Sequence, residues 1–438
     1  MRNSLYLAVI IYTLAFWIWR IPFLIWLPLP EVLPDTFDYF AIVKYWHDGT
    51  PLSLPSDLPL AFPFLAYIAG LVCKKIMVII WAHFLIKFFS GLLLIYVFWK
   101  NFRWWAVPVA ILISFYITDS FSLRFDTCLQ TESLYNSFLI LTTAFLAEGI
   151  ASRKKLPLVL LSVSMFLAAS ARPNGLYIYF LLPVLFWVFS DASQRAVKYF
   201  CLAAPALLLH ASVFGIKASM NFPHPKFDRV SSVITREQGL IQASGESYFH
   251  RKWKVVGTYA RMEDLPSFYF SLLPERYKQL YEFDIIRDPD YKMYDWTAPI
   301  SDDLRRFVYM EYYDEPPKLK GNKSMLHVSY ASLRHPLFLL IHVFYKIQSV
   351  IFRNGLWYAL GFILSGIGMV VSLRSRGGNC EALLLCIFGA MHFISLLVVS
   401  VGHDTIQMRY VHVSEFLLYL LPVISLMLIL PAYNNRNR

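Results

Sequence analysis

Apolar runs of close to twenty residues recur along this chain, and few folds can accept them. A helix satisfies every backbone N–H and C=O within itself, so about 20 mostly apolar residues can cross a bilayer as a helix. Ten such runs are predicted to span: roughly 5–29, 77–99, 106–122, 133–151, 156–172, 175–189, 199–216, 355–373, 380–401 and 411–432. The fold expected is an all-α polytopic membrane protein of about ten transmembrane helices. Composition agrees, since 57% of the 438 residues are hydrophobic and only 16% are charged, against about 25% charged in an ordinary soluble domain. Two shorter apolar stretches, Leu60–Val72 and Pro336–Phe352, suit interfacial helices that lie along the membrane surface.

Basic residues orient the spans. With the N-terminus inside, the short inner segments carry Arg2, Lys100, Arg103, Arg153–Lys155, Arg195, Lys198, Arg374, Arg376, Arg436 and Arg438. The opposite face collects Glu31, Asp35, Asp38, Asp48, Asp57, Asp119, Asp126, Glu132 and Asp404. Both termini are therefore expected in the cytoplasm. The formal net charge of +11 reports this topology rather than nucleic-acid binding. The first apolar run is too long, and lacks the small-residue site, for a cleaved signal. The five cysteines have neither zinc-site nor disulfide-framework spacing.

The chain divides into a transmembrane module over 1–216, an insert over 217–335, and a final part, 336–438, with one interfacial helix and three spans. The segment Lys217–His335 contains no span and carries 18 basic against 16 acidic residues. Its tyrosines and Pro/Asp punctuation suit a small extracytoplasmic domain or lid of unassigned fold.

Four clusters fall on the outer face. Asp35 and Asp38 follow the first span; at that spacing they share a face if the segment is helical. They read either as a general base with a ligand carboxylate or as acidic residues at a helix start. Asp126 and Glu132 flank the start of the fourth span, with Asp119 nearby. There Thr131 can cap the helix and Glu132 can favour its positive end. Arg172 stands in Arg172-Pro173-Asn174-Gly175 at the outer end of the fifth span. Arginine is suited to grip phosphate in a fork, or it snorkels to the interface. His403-Asp404 and Arg409-Tyr410 precede the last span. Inside the second span, His83 and Lys87 share a helix face. They read as a lipid-phosphate or proton-conducting feature, or as a lysine that reaches a carboxylate or backbone carbonyl. His210, His392, His412 and Glu415 read as polar contacts between helices.

These motifs together resemble the GT-C superfamily of membrane glycosyltransferases, in the branch holding protein O-mannosyltransferases and the lipid A aminoarabinose transferase. The resemblance is carried by Asp35-Thr36-x-x-Tyr39, by Thr131-Glu132-Ser133-Leu134, and by Ala171-Arg172-Pro173-Asn174-Gly175. His335-Pro336 and Arg409-Tyr410 add to it, and it is best over 1–190. The chain departs from the aminoarabinose enzyme in lacking a long soluble region after the last span. Its 217–335 insert is shorter than the domain the O-mannosyltransferases carry there.

The resemblance implies a shared catalytic module in which Asp35 is the base and Asp38 and Glu132 are site carboxylates. The same three carboxylates could hold a divalent metal, for which Mg²⁺ or Mn²⁺ would suit, although the basic residues present make none obligatory. The donor expected is a sugar on a polyprenyl phosphate. The acceptor would be a glycan, lipid or protein outside the cytoplasmic membrane, reached by direct displacement with inversion. Arg172, Arg409, Lys74 and Lys75 are the candidate cations for the departing phosphate, with Tyr410 beside Arg409. The stretches 60–72 and 336–352 would frame the lipid groove. The alternatives are a polymerase or ligase of lipid-linked glycans and, favoured by His83 and Lys87, a lipid-glycan flippase or transporter.

Overall fold

The computed structural model describes residues 2–26, 39–40, 42–43, 45–46, 59–72, 77–152, 154–172, 336–375, 379–402 and 408–430. Every regular segment longer than a turn among them is helical. They are α1 (Arg2–Trp26), α2 (Ala61–Val72), α3 (Met77–Phe102), a 3-10 turn (Arg103–Trp105), α4 (Ala106–Ile117), α5 (Ser120–Thr127), α6 (Glu132–Ser152), α7 (Lys155–Ala171), α8 (Pro336–Arg374), α9 (Cys380–Gly402) and α10 (Met408–Ile429). Among the described residues, five segments are long and apolar enough to cross a membrane: Met77–Ile117, Glu132–Ser152, Gly355–Arg374, Cys380–Val399 and Val411–Ile429. The predicted spans over 175–189 and 199–216, and the 217–335 insert, lie outside the described residues.

The chain forms two compact units, one containing α1–α7 and the other α8–α10. In the first, α1 packs along α3 and α4. Its buried stripe is Ala8, Tyr12, Phe16 and Arg20, one residue every four, while Tyr6, Leu7, Ile10, Leu14, Ile18 and Ile21 are exposed. This is the one-sided pattern of a helix with one apolar face on its neighbours and another on lipid. Aromatic rings interlock the seam: Tyr12 stacks on Phe88 at 5.8 Å, and Phe16 meets Phe84 edge-on at 6.5 Å. Tyr12 also donates to the Lys87 carbonyl, 3.2 Å away, and its ring covers Gly91, where a Cβ would overlap it.

The chain reverses after α3. At about 1.5 Å per residue, Lys87 lies roughly 22 Å along the helix from Phe102. Yet the Lys87 ammonium reaches Ser122, beyond α4. Straight continuation would put these residues far apart, so α4 must run back beside α3. Arg103 makes the break in the left-handed region, φ 54°, a conformation that usually ends a helix at glycine. Its guanidinium lies 5.6 Å from the Trp99 ring centroid.

Helix α4 has 12 residues, about 18 Å, well short of a ~30 Å hydrocarbon core. Two expectations are corrected here. Lys100–Arg103 is not a loop, because Lys100 to Phe102 are helical. The predicted span 106–122 stops at Ile117, where Thr118 Oγ1 bonds back to the Ser114 carbonyl at 2.9 Å; Asp119 then begins a separate helix, α5. The first predicted span, 5–29, falls on α1, whose 25 residues are enough to cross a bilayer; Arg20 lies on its buried face.

Helix α6 lies between α3 and α7 and is buried around most of its circumference. Three of its hydroxyls bond within the helix: Ser137, Thr142 and Thr143 each bond the carbonyl four residues back. At its far end, Glu148 accepts from Lys100 and from Asn101, both at 2.6 Å. Helix α2 is too short to span, as expected. It buries Phe62, Pro63, Ala66 and Ala69 and exposes Phe64, Ile68, Leu71 and Val72.

In the second unit, α8 runs unbroken for 39 residues. The predicted interfacial helix 336–352 and the span 355–373 are therefore one helix. The Arg353-Asn354-Gly355 punctuation does not break it, since a single helical glycine costs only about 1 kcal/mol. Helices α8 and α9 approach closely through glycine. A Cβ at Gly368 would stand 2.9 Å from both the Ala382 carbonyl oxygen and the Cys386 nitrogen, the small-residue contact common between membrane helices.

These contacts set opposite outcomes for two helical glycines. Gly91→Ala is expected to destabilise by about 1–3 kcal/mol through overlap with the fixed Tyr12 ring. Gly366→Ala, with nothing within 4 Å, should be neutral or stabilising by up to about 1 kcal/mol. Thermal unfolding in detergent, followed by tryptophan fluorescence, checks both signs.

Candidate functional site

The connection from α4 to α6 carries three acidic residues into the first unit, and each is buried. Asp126, on α5, has no exposed surface. Its Oδ2 accepts from Arg20, through Nη2 and through Nε at 3.2 Å. Its Oδ1 accepts from Lys87 Nζ at 2.8 Å and from Ser133 Oγ at 2.7 Å. Arg20 also donates to the carbonyls of Phe16 and Ile117 and lies 3.7 Å over the Phe16 ring. Lys87 also donates to Ser122 Oγ at 2.7 Å. One carboxylate thus joins α1, α3, α5 and α6. Burial pushes its pKa up, but Lys87 and Arg20 outweigh that and hold it below the usual carboxylate range.

Glu132 opens α6, following Thr131, whose carbonyl accepts from the Tyr135 N–H at 2.8 Å. Arg172 Nη1 lies 3.2 Å from Glu132 Oε1. With the Gln130 amide turned to donate, its nitrogen lies 3.1 Å from both Glu132 oxygens. The local sequence explains Arg172. Pro173 excludes the helical region for the residue before it, so α7 stops at Ala171 and Arg172 is extended, φ −149° and ψ 142°. The start of α2 is tied to the same place, because the Leu60 N–H donates to the Ser170 carbonyl at 3.0 Å. The ion pair thus sits near the head of a short helix with an exposed apolar face. His83, one turn before Lys87, packs its ring against Phe62 of α2 at 5.8 Å.

The second unit holds a polar cluster of its own. Glu415 accepts from Tyr358 Oη at 3.0 Å, and its other oxygen lies 2.6 Å from His412 Nδ1. His392 Nδ1 lies 3.0 Å from Ser414 Oγ. These bonds join α8 to α10 and α9 to α10, the interhelical role expected for His392 and Glu415.

Of the residues singled out from sequence, the structure brings Glu132 and Arg172 together. Arg409 and Tyr410 lie on α10, but their side chains are outside the described residues, as are Asp35, Asp38, Lys74 and Lys75. Glu132 opens the span Glu132–Ser152, as expected, but neither it nor Asp126 is a surface group. They are enclosed at the level of His83 and Lys87, because α4 is short and its exit leads into the bundle. Sequence reasoning missed Arg20. The signal was present: Tyr12, Phe16 and Arg20 repeat at four-residue intervals, placing a cation on the buried aromatic face.

Of the three carboxylates implied as metal ligands, Asp35 and Asp38 lie outside the described residues, and Glu132 lies beside Arg172 and Gln130.

No protein-family model matches the chain, and no curated protein matches it. Among solved structures it is similar to the archaeal oligosaccharyltransferase AglB from Archaeoglobus fulgidus in complex with an inhibitory peptide and a dolichol-phosphate. The identity is 13% and the TM-score 0.45, over 98% of this chain and 50% of that one. It is similar also to the apo form of the Archaeoglobus fulgidus oligosaccharyltransferase, at 14% identity and TM-score 0.45, over 99% of this chain and 51% of that one. The chain spans about half the length of these structures.

Removing Asp126 leaves two buried cations without their counter-charge, so Asp126→Ala should cost about 3–5 kcal/mol at neutral pH. Because the Asp126 pKa is depressed on folding, its stabilisation is present above the unfolded value, about 3.9, and is lost as pH falls through the folded one. Unfolding temperatures measured from pH 6 downward should therefore fall in the wild type below about pH 4. They should fall less steeply in Asp126→Asn. Parallel acid profiles would show that the Arg20–Asp126–Lys87 assembly contributes no such term.

Proposed function

We propose that the chain is an integral membrane glycosyltransferase that moves a sugar from a polyprenyl-phosphate donor to an extracytoplasmic glycan, lipid or protein. The observation that carries this reading is Arg172, held beside Glu132 at the head of α2. A polyprenyl phosphate is an anionic head on a long apolar tail. Arg172 offers a forked donor to the head, and the exposed Phe64, Ile68, Leu71 and Val72 of α2 offer an apolar wall to the tail. Asp38, Lys74, Lys75, Arg409 and Tyr410 are the further proposed substrate-binding groups. The site opens away from the cytoplasm in this reading, and both termini lie in the cytoplasm.

The reaction is a single displacement. Asp35, the proposed base, takes a proton from the acceptor hydroxyl or amine as that atom attacks the anomeric carbon from the face opposite the phosphate. The new bond forms as the carbon–oxygen bond to phosphate breaks. Its electron pair stays on the phosphate oxygen, and configuration inverts. Negative charge grows on the leaving phosphate, and Arg172 meets it where little water competes. No step is assigned to a metal.

The transport alternative drew on Lys87 and His83. Lys87 is enclosed by Asp126 and Ser122 and is 1% exposed, which suits a fixed tie between helices better than a carrier path.

The test is transfer from a polyprenyl-phosphate-linked sugar to acceptors in a solubilised membrane extract, using the purified protein. Asp35→Asn should lower the rate about 10²- to 10⁴-fold, and Arg172→Gln about 10²- to 10³-fold. Undiminished transfer by Asp35→Asn removes the proposed base.

A further inference from the structure

We propose that Glu132 is an internal stand-in for the donor phosphate: it occupies Arg172 until the phosphate displaces it. The inference rests on the reading of Arg172 as the donor's phosphate seat and concerns how that seat is filled.

Charge balance is the starting point. Among the described residues, Arg20, Lys87 and Arg172 supply three positive charges, and Asp119, Asp126 and Glu132 supply three negative ones. None of the six residues is more than 7% exposed. A phosphate entering this balanced, enclosed set brings unmatched negative charge, which is costly away from water. To be met by one of these three cations, it must draw that cation away from its present partner.

The three cations differ in where they stand. Arg20 is fixed by Asp126, two backbone carbonyls and the Phe16 ring. Lys87 is fixed by Asp126 and Ser122. Arg172 is the most exposed of the three and stands past the end of α7, where Pro173 has stopped the helix. Its partner can also be left behind at little cost. Glu132 is the first residue of α6, where the helix dipole favours a carboxylate. The Gln130 amide lies 3.1 Å from both its oxygens. Glu132 therefore keeps a favourable environment when Arg172 turns to the phosphate. Asp126 is placed differently, because taking Arg20 or Lys87 from it would break the contact that ties α1 or α3 to α5.

The exchange has an unusual sign. A carboxylate that binds the donor, by hydrogen bonding or through a metal, weakens binding when neutralised. A carboxylate that competes with the donor strengthens it. Binding of a short-chain polyprenyl phosphate to the purified full-length protein in nanodiscs reads the difference. Glu132→Gln should bind about tenfold tighter than wild type. Arg172→Gln should bind at least about tenfold more weakly, and the double variant should match Arg172→Gln.

Equal or weaker binding by Glu132→Gln, with dependence on Arg172 intact, overturns the exchange and leaves the donor reading standing. Binding that is absent, or indifferent to Arg172, overturns both. Inorganic phosphate run in parallel separates the sources, since a response equal to the lipid's removes the assignment of the tail to α2. The unaltered protein supplies a second readout if Glu132→Gln fails to fold. A hydrophobic carbodiimide, with labelling located by mass spectrometry, should modify Glu132 several-fold more when the lipid phosphate is bound. Unchanged or reduced labelling overturns the exchange.

Discussion

The first unit depends on one buried carboxylate. Asp126 is the counter-charge for Arg20 on α1 and Lys87 on α3, and it is bonded by Ser133 on α6. Charge at this depth is tolerated only when paired and fully hydrogen-bonded. That requirement dictates topology. The chain must turn back after α3, and α4 must end early, so that α5 can deliver Asp126 between two helices whose cations already face inward. Apolar packing alone would allow α1, α3 and α6 to slide along one another. The three-way pairing sets their register, and the Lys100–Asn101–Glu148 contact sets it again at the other end of α3 and α6.

The same anchoring places the candidate site. Ser133 is held by Asp126, so the first turn of α6 is immobilised one residue from Glu132. On the opposite side, Pro173 ends α7 and leaves Arg172 extended beside it. The Leu60–Ser170 bond then brings the start of α2 to that point. A proline, a serine and a backbone hydrogen bond thus set a carboxylate against a guanidinium at the edge of an apolar helix. None of the three takes part in the chemistry proposed.

Much of this is readable in the residues. The apolar runs name the helices because backbone groups in lipid have nowhere else to bond. The helix end at Arg172 follows from Pro173, and the shortness of α2 follows from its twelve residues. Other features are not readable, for physical reasons. The Arg353-Asn354-Gly355 punctuation looks like a boundary, but its cost is small against a long helix and α8 runs through it. The Lys100–Arg103 charges look like a loop because Lys and Arg mark span ends. They stay helical while the reversal waits for Arg103, whose left-handed backbone no residue preference announces.

The sequence by itself determined that the chain is a set of apolar helices, where most of them begin and end, and which side chains are too polar to be left among them unpartnered. Those properties follow from short stretches of chain, from hydropathy and from local backbone preferences. Only the tertiary structure decided the pairing: Lys87 and Arg20 with Asp126, and Arg172 with Glu132. A buried charge specifies that it needs an opposite one but not which one, and only the packing of the helices selects it.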